Sequence, residues 1–373
     1  MLKVVKGVFK SALLIVTVPV GIGYLLTCLI PYIDTGKYWF VSLLGLAFIP
    51  LLVMMLILMF MWILVRSKIW IACLAILLLG FQQITSVFSF HLPSQFKIEK
   101  QSGNLRVMQW NVHSWNQVLF YDEPNVFKDD QPQMMALIKQ YDPDILCVEE
   151  FFESTDPEKF KSNIEILQEM GYTYHFFAHG DLTDGSSYSG IAIFSRFPIL
   201  STGKILSTSR NEADPLAFAD VKKDNRIIRV FALHLQSVRF HESDYSNIQR
   251  MKNPRDPKIT GSRTITSKLK RGFKKRYEQS VLIEKQIQQT PYPVILCGDF
   301  NDVPNSGVYF NIRKNLQDAF LRKGSFVGRS FRFISPTLRI DYIMPSKEFK
   351  VQQFTVIRVK YSDHYPLVSD ISF

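Results

Sequence analysis

Between residues 11 and 90 the chain is almost continuously apolar, and a run of that length has no polar face to present to water. It divides into three stretches, at about Ser11–Ile33, Trp39–Val65 and Ile69–Phe90. A bilayer core of ~30 Å takes about 20 helical residues, so each stretch is long enough to cross one. Pro19, Gly21 and Gly23 interrupt the first, which membrane helices tolerate. Its apolar part exceeds the ~7–15 residues of a cleaved leader, and no small-residue cleavage site follows. The sequence therefore predicts three transmembrane helices in residues 1–90, a polar linker at 91–104 and a soluble domain at 105–373.

Charge sets the expected orientation. Lys3, Lys6 and Lys10 precede the first stretch, and Arg66 and Lys68 lie between the second and third. The positive-inside rule places both groups in the cytoplasm. Three crossings then put the soluble domain on the extracytoplasmic side of the cell membrane. Lys97, Lys100 and Arg106, just beyond the third stretch, oppose that assignment.

Four cysteines in 373 residues exclude a disulfide-stapled scaffold, and all four lie in apolar runs or expected core strands. The formal net charge of +11 favours an anionic partner, either nucleic acid or acidic lipid. In the soluble part, strands are expected at 105–110, 144–148, 174–178, 190–195, 217–221, 227–235 and 294–297, and again near 340–344, 354–359 and 367–372. The spacing of Met134, Leu137, Ile138 and Tyr141 predicts one helix, and that of Phe160, Ile164, Leu167 and Met170 a second. A third is expected at 278–288. Many strands with few interleaved helices indicate an α+β or layered sandwich architecture.

Six short segments beside these strands concentrate acid, amide and imidazole groups. They are Gln109-Trp110-Asn111-Val112-His113, Val148-Glu149-Glu150-Phe151, Leu233-His234-Leu235-Gln236-Ser237, Gly298-Asp299-Phe300-Asn301, Arg339-Ile340-Asp341-Tyr342-Ile343 and Ser362-Asp363-His364-Tyr365-Pro366. Strand ends are where a rigid scaffold presents functional side chains. The set contains no Cys/His zinc spacing and no nucleophile elbow. Oxygen-rich donors suit Mg²⁺ or Mn²⁺ better than zinc. Carboxylates with imidazoles point to metal-assisted hydrolysis of a phosphate ester.

In order and wording these segments resemble the endonuclease/exonuclease/phosphatase superfamily over the whole of residues 105–373. The resemblance implies a DNase I-like fold, a four-layer α/β sandwich of two packed sheets flanked by helices. It implies Glu150 as main metal ligand, supported by Asn111, with Asp363 completing the carboxylate cluster. Asp299 would orient or deprotonate the attacking water, and Asn301 would hold that water and a phosphate oxygen. His364, oriented by Asp341, would contact the scissile phosphate, and His234 would bond the phosphate or assist the leaving group. Two positions depart from the family pattern: Glu149 stands where Gln is usual, and Leu233 where Thr is frequent. Tyr188-Ser189-Gly190 resembles a turn of the abasic-site endonuclease branch, which would bring Tyr188 into the site. His234-Leu235-Gln236-Ser237 leans instead towards the DNase I and sphingomyelinase branches. His113 reads as a hydrogen-bonded structural residue.

Between residues 238 and 277, twelve lysines and arginines face only Glu242, Asp244 and Asp256. The segment reads either as a solvated loop or as a funnel for a polyanion or strip on anionic headgroups, with Arg263, Lys270 and Lys274 contacting substrate. The leading expectation is a membrane-embedded, Mg²⁺-dependent phosphodiesterase or endonuclease acting on nucleic acid. The alternatives are a phospholipid or sphingomyelin-type phosphodiesterase, an inositol-phosphate phosphatase, or a catalytically silent anchored binding module. No protein partner is predicted.

Overall fold

The computed structural model describes residues 2–118, 128–180, 182, 185–205, 216–238 and 259–373, with side chains described outside 2–5 and 259–264. The apolar region folds into helices α1 (Leu2–Cys28), α2 (Trp39–Leu46), α3 (Phe48–Leu64), α4 (Ile69–Leu79) and α5 (Phe81–Val87). They pack around Tyr24, Phe48, Met55, Trp62 and Leu77. The indole N–H of Trp62 donates to Thr17 Oγ1 at 2.9 Å, so this buried polar atom is satisfied.

Three transmembrane helices were expected; the structure gives one candidate span outright and up to three if each bent pair is one span. Among the described residues one helix, Lys6–Tyr32, is long and apolar enough to cross a membrane by itself. The α2–α3 pair is bent by 64° and the α4–α5 pair by 56°; each counts as a span only if the pair is taken together. Proline explains the first bend. Pro50 has no N–H to give the carbonyl of Leu46, so the chain breaks after Leu46 and restarts with Pro50 in the first turn of α3. The second bend falls at Gly80, where a Cβ atom would sit 2.1 Å from Tyr24 Oη. Hydrophobic patterning reports apolar length and is blind to these bends.

The remaining chain forms two sheets. One has the order β10-β11-β1-β2-β4-β3, from β1 (Leu105–Asn111), β2 (Ile145–Ser154), β3 (Tyr174–His179), β4 (Ser187–Ser195), β10 (Lys350–Val356) and β11 (Leu367–Ser372). The other has the order β5-β6-β7-β8-β9, from β5 (Ile199–Ile205), β6 (Leu216–Lys223), β7 (Arg226–His234), β8 (Val294–Asp299) and β9 (Asp341–Pro345). Alternation along each strand sends one set of side chains between the sheets and the other outward. Val107, Cys147 and Ile193 thus meet Val230, Cys297 and Ile343 in the central layer. Outward, Met108 and Leu146 pack on Met134 and Ile138 of α6 (Gln131–Tyr141), near α7 (Asn163–Glu169). On the opposite side Phe231 and Leu296 pack on Ile283 of α8 (Ile259–Gln289) and Tyr309 of α9 (Gly307–Arg313). A last short helix is α10 (Ala319–Lys323). The expected α+β sandwich of two sheets flanked by helices is the observed architecture.

Two element boundaries matter for the site. The helix expected at 278–288 is α8, which starts at Ile259, so the second half of the basic run is helical rather than loop. Strand β2 continues to Ser154 beyond a register shift between Val148 and Phe151.

Candidate active site

The polar segments converge because of strand direction. β1 runs parallel to β2, and β7 parallel to β8, while β9 returns antiparallel to β8. Register then sets Asn111 opposite Glu149, His234 opposite Asp299, and Asp299 opposite Asp341. Asn111, His234, Asp299 and Asp341 are terminal residues of their strands, held by two stiff sheets, while Glu149 lies within β2.

The adjacent glutamates of β2 separate at a bulge. In a regular strand both neighbours would keep strict alternation; here Glu150 takes a left-handed conformation with φ 50°. Its carboxylate turns to the site, where Oε1 accepts from Asn111 Nδ2 at 3.1 Å. Glu149 is fully buried instead, accepting from Gln109 Nε2 at 2.7 Å. Burial, reinforced by Asp341 nearby, holds the Glu149 carboxyl well above the usual carboxylate range. Burial thus favours the protonated form of Glu149, whose carboxyl occupies the place of the amide in the family pattern.

Asp299 is the centre of the arrangement. Its Oδ1 accepts the backbone N–H of Asn301 at 2.7 Å. Its Oδ2 accepts from the side-chain amides of Asn111 and Asn301, each at 3.2 Å. The imidazole Nε2 atoms of His234 and His364 each lie 3.7 Å from the same oxygen. Burial and the Asp341 carboxylate raise the Asp299 carboxyl to about 6 against the opposing pull of the two imidazoles. The preceding residue has to be glycine, because a Cβ on Gly298 would meet the Leu233 carbonyl oxygen at 2.2 Å.

His364 is held from behind. Its Nδ1 lies 2.9 Å from Asp341 Oδ2, its backbone carbonyl accepts from Trp110 Nε1, and its ring meets Phe331 edge-on. Burial alone would lower its pKa; the carboxylates of Asp341, Asp299 and Asp363 outweigh burial and push it well above the usual imidazole value. His234 Nε2 is buried without a hydrogen-bond partner and lies 3.7 Å from both Glu150 Oε1 and Asp299 Oδ2. An orphaned ring nitrogen aimed between two carboxylates fits a site that receives a further polar group.

For a divalent cation the donor chemistry is suitable. Glu150 and Asp299 converge through Asn111, and Asp363 lines the same cavity. Ligand atoms of Asp299, Asp341 and His364 also lie within 4.8 Å of one another. Asp341 is already engaged by His364 and by Gln109 Nε2, which leaves the Glu150 side the better place for an oxygen-preferring ion.

Other expected residues lie elsewhere. Tyr188 is on β4, opposite Glu153, with its ring 4.3 Å from that of His179, and it does not line the cavity. Lys270 sits over the Trp39 ring at 5.4 Å, and Lys274 borders a surface hollow with Asp34 and Lys37. The Arg263 side chain and the basic stretch 239–258 fall outside the described residues. His113 Nδ1 lies 3.0 Å from Asn116 Oδ1, a hydrogen bond of the kind expected for it. The sequence reading missed Gln109, which bridges Glu149 and Asp341, although it stands within the first quoted segment. It also missed Ser362, whose hydroxyl donates to the Asn111 carbonyl at 2.8 Å and ties the His364 loop to β1. Asn305, fully buried with both amide atoms unpartnered, carried no local signal at all.

Comparison with known proteins agrees with this geometry. Residues 108–364 match the model of the Endonuclease/Exonuclease/phosphatase family, and residues 10–87 match a Domain of unknown function (DUF8431). Protein angel homolog 2 of Mus musculus is 25% identical over 235 residues, which is 61% of this chain and 37% of that protein. The chain thus spans little more than a third of the length of the curated relatives it matches. An endonuclease/exonuclease/phosphatase from Beutenbergia cavernae superposes with a TM-score of 0.50 at 20% identity, covering 72% of each chain. The human Nocturnin catalytic domain with bound sulfate gives 0.50 at 21% identity, covering 73% of this chain and 94% of that one. At these identities the structures establish a shared fold.

Proposed function

This chain belongs to the endonuclease/exonuclease/phosphatase family, whose members act on phosphate ester bonds, and on that premise we propose that it is a membrane-anchored, divalent-metal-dependent phosphoesterase. The observation that carries the reading is Asp299 Oδ2, met by two amides at 3.2 Å and two imidazoles at 3.7 Å from four different segments.

Each residue has a role that its surroundings support. Asp299, with its carboxyl at about 6, is ionised at neutral pH yet basic enough to take a proton from the attacking water. Asn301 fixes that carboxylate through two hydrogen bonds. His364, held protonated by the surrounding carboxylates, donates to a phosphoryl oxygen and offsets charge as it develops. His234 Nε2 supplies a second donor to the phosphoryl group or leaving oxygen. Glu150 and Asn111, with Asp363, would hold Mg²⁺ or Mn²⁺, which supplies charge neutralisation at the phosphoryl oxygens. The N-terminal helices would keep the site at the extracytoplasmic face of the cell membrane. Exposed Lys270, Arg271 and Lys274 on α8 favour a substrate that is a polyanion or lies on an anionic surface, which includes nucleic acid and phospholipid.

The test is hydrolysis of bis(p-nitrophenyl) phosphate and p-nitrophenyl phosphate by the full chain in detergent micelles. Turnover should vanish in EDTA and return with Mg²⁺ or Mn²⁺. Undiminished turnover in EDTA would contradict the metal requirement, and no turnover of either ester would contradict the enzymatic reading.

A further inference from the structure

The catalytic cluster lines a larger cavity, of about 360 Å³, that the apolar N-terminal helices also line. Its polar lining includes Glu150, Asp299, Asp363 and His364. Leu46, Phe48 and Ile49, the residues on either side of the α2–α3 break, line it too. Leu269 and Phe273 of α8 add apolar wall, as do Phe331 and Leu338. The bend caused by Pro50 thus opens where the cavity reaches the apolar helices.

Resting on the phosphoesterase reading, we propose that the substrate is a membrane phospholipid, whose hydrocarbon tail lies in this apolar passage while its phosphate ester reaches Asp299 and His364. Three independent features favour a lipid over a nucleic-acid strand. A strand of alternating phosphates and bases would use unpaired cations along the channel, whereas Arg276, the one arginine or lysine on its wall among the described residues, is already paired with Asp302 and the rest of the lining is mostly apolar. The second feature is docking. The α2 helix lies directly on the loop that follows Asn301, so closely that a Cβ on Gly45 would sit 2.3 Å from the Asn305 carbonyl oxygen. The scissile bond is thereby held next to the apolar helices. The third is Asn305, fully buried, lining the cavity, with its amide nitrogen and oxygen both unpartnered among the described residues. Such an amide suits the ester or hydroxyl groups that join a lipid phosphate to its tails.

The surroundings agree. Phe90 and Phe326 are 73% and 66% exposed beside the Ser89–Phe326 bridge, where α5 hands over to the sandwich, as expected of side chains in a lipid interface. Lys270 and Trp39 pair close to α2, a combination suited to anionic headgroups. In the reaction water adds across the ester. Its oxygen bonds to phosphorus, the bond from phosphorus to one alcohol oxygen breaks, and the departing alcohol takes a proton. Nothing is oxidised or reduced.

The experiment compares the full chain on long-chain phosphatidylglycerol and phosphatidylethanolamine in mixed micelles, their dibutyryl counterparts, and DNA and RNA oligonucleotides, with bis(p-nitrophenyl) phosphate as a reference ester. The expected kcat/KM is at least about tenfold higher for long-chain than for dibutyryl lipid, since each buried methylene adds affinity. Ile49→Trp, which fills the cavity beside the α2–α3 break, should remove that preference, and Ile71→Trp, on an exposed site of α4, should keep it. As a readout that needs no turnover, a phospholipid with a photoreactive tail should cross-link to the Leu46–Ile49 segment in the Asp299→Asn chain. Equal rates for both tail lengths, preference for an oligonucleotide, or cross-links confined to other helices would overturn the lipid assignment alone. No turnover of any ester would overturn the phosphoesterase reading and this assignment with it.

Discussion

His364 Nδ1 lies 2.9 Å from Asp341 Oδ2, and both side chains are buried. Burial by itself would lower the imidazole's pKa; the carboxylates of Asp341, Asp299 and Asp363 outweigh it and raise it well above the usual value. In the proposed mechanism the active form has His364 protonated and Asp299 ionised. Activity should therefore rise with pH through about 6 and fall only above the raised His364 value. Asp341→Asn removes the main counter-charge, so the alkaline limb of kcat/KM should move to lower pH with a loss of at least about tenfold near neutrality. An unmoved limb would contradict the pairing.

Asp299 has the opposite consequence for stability. Its folded-state value, about 6, exceeds the ordinary 3.8, so the folded state binds this proton more tightly. The resulting stabilisation is present below the unfolded value and lost as pH rises through about 6. At pH 8 the buried carboxylate is then a net cost, and Asp299→Asn should stabilise the fold by on the order of 1–3 kcal/mol while abolishing turnover. The gain should disappear at pH 4 in thermal unfolding scans.

Adjacent glutamates should behave unequally. Glu149 is buried, its carboxyl is pushed up by burial and it is bonded to Gln109, so Glu149→Gln keeps its shape and turnover should stay within about threefold. Glu150→Gln removes a charge facing the site and should cost about 100-fold or more, with a higher Mg²⁺ concentration at half-maximal rate. Metal titration of both variants measures the contrast.

Gly298→Ala sets a methyl against the Leu233 carbonyl oxygen, which belongs to the neighbouring strand and cannot swing away. Strands β7 and β8 would have to part just where His234 and Asp299 are paired. A loss of about 2–3 kcal/mol is expected, with turnover falling alongside, as read by denaturant unfolding and assay of the same sample.

Much of this was legible in the sequence because the reacting groups sit at strand ends. Asn111, His234, Asp299 and Asp341 follow or begin apolar runs, and a two-sheet fold brings such ends together. The family resemblance singled out Glu150 over Glu149, but the bulge that turns it was not legible, since two equal neighbours in an apolar run carry no mark of a register shift. The first half of α8 was hidden by its charge: Ile265, Leu269 and Phe273 recur at helical spacing among lysines and arginines that suggested loop. Tyr188 was brought forward by a short turn resemblance, yet its strand carries it to His179. The long cavity depends on α2 meeting the Asn305 loop, a contact between segments some 260 positions apart that no local pattern encodes.

The measurement that bears most directly on a single hydrolytic centre is kcat/KM for bis(p-nitrophenyl) phosphate in a double-mutant cycle of Asp299→Asn and His364→Ala. Each single change should cost about 10²–10⁴-fold, and the pair little more than the worse one, because groups acting as a unit fail together. Losses that simply multiply, or turnover that survives either change in a folded chain, would contradict it.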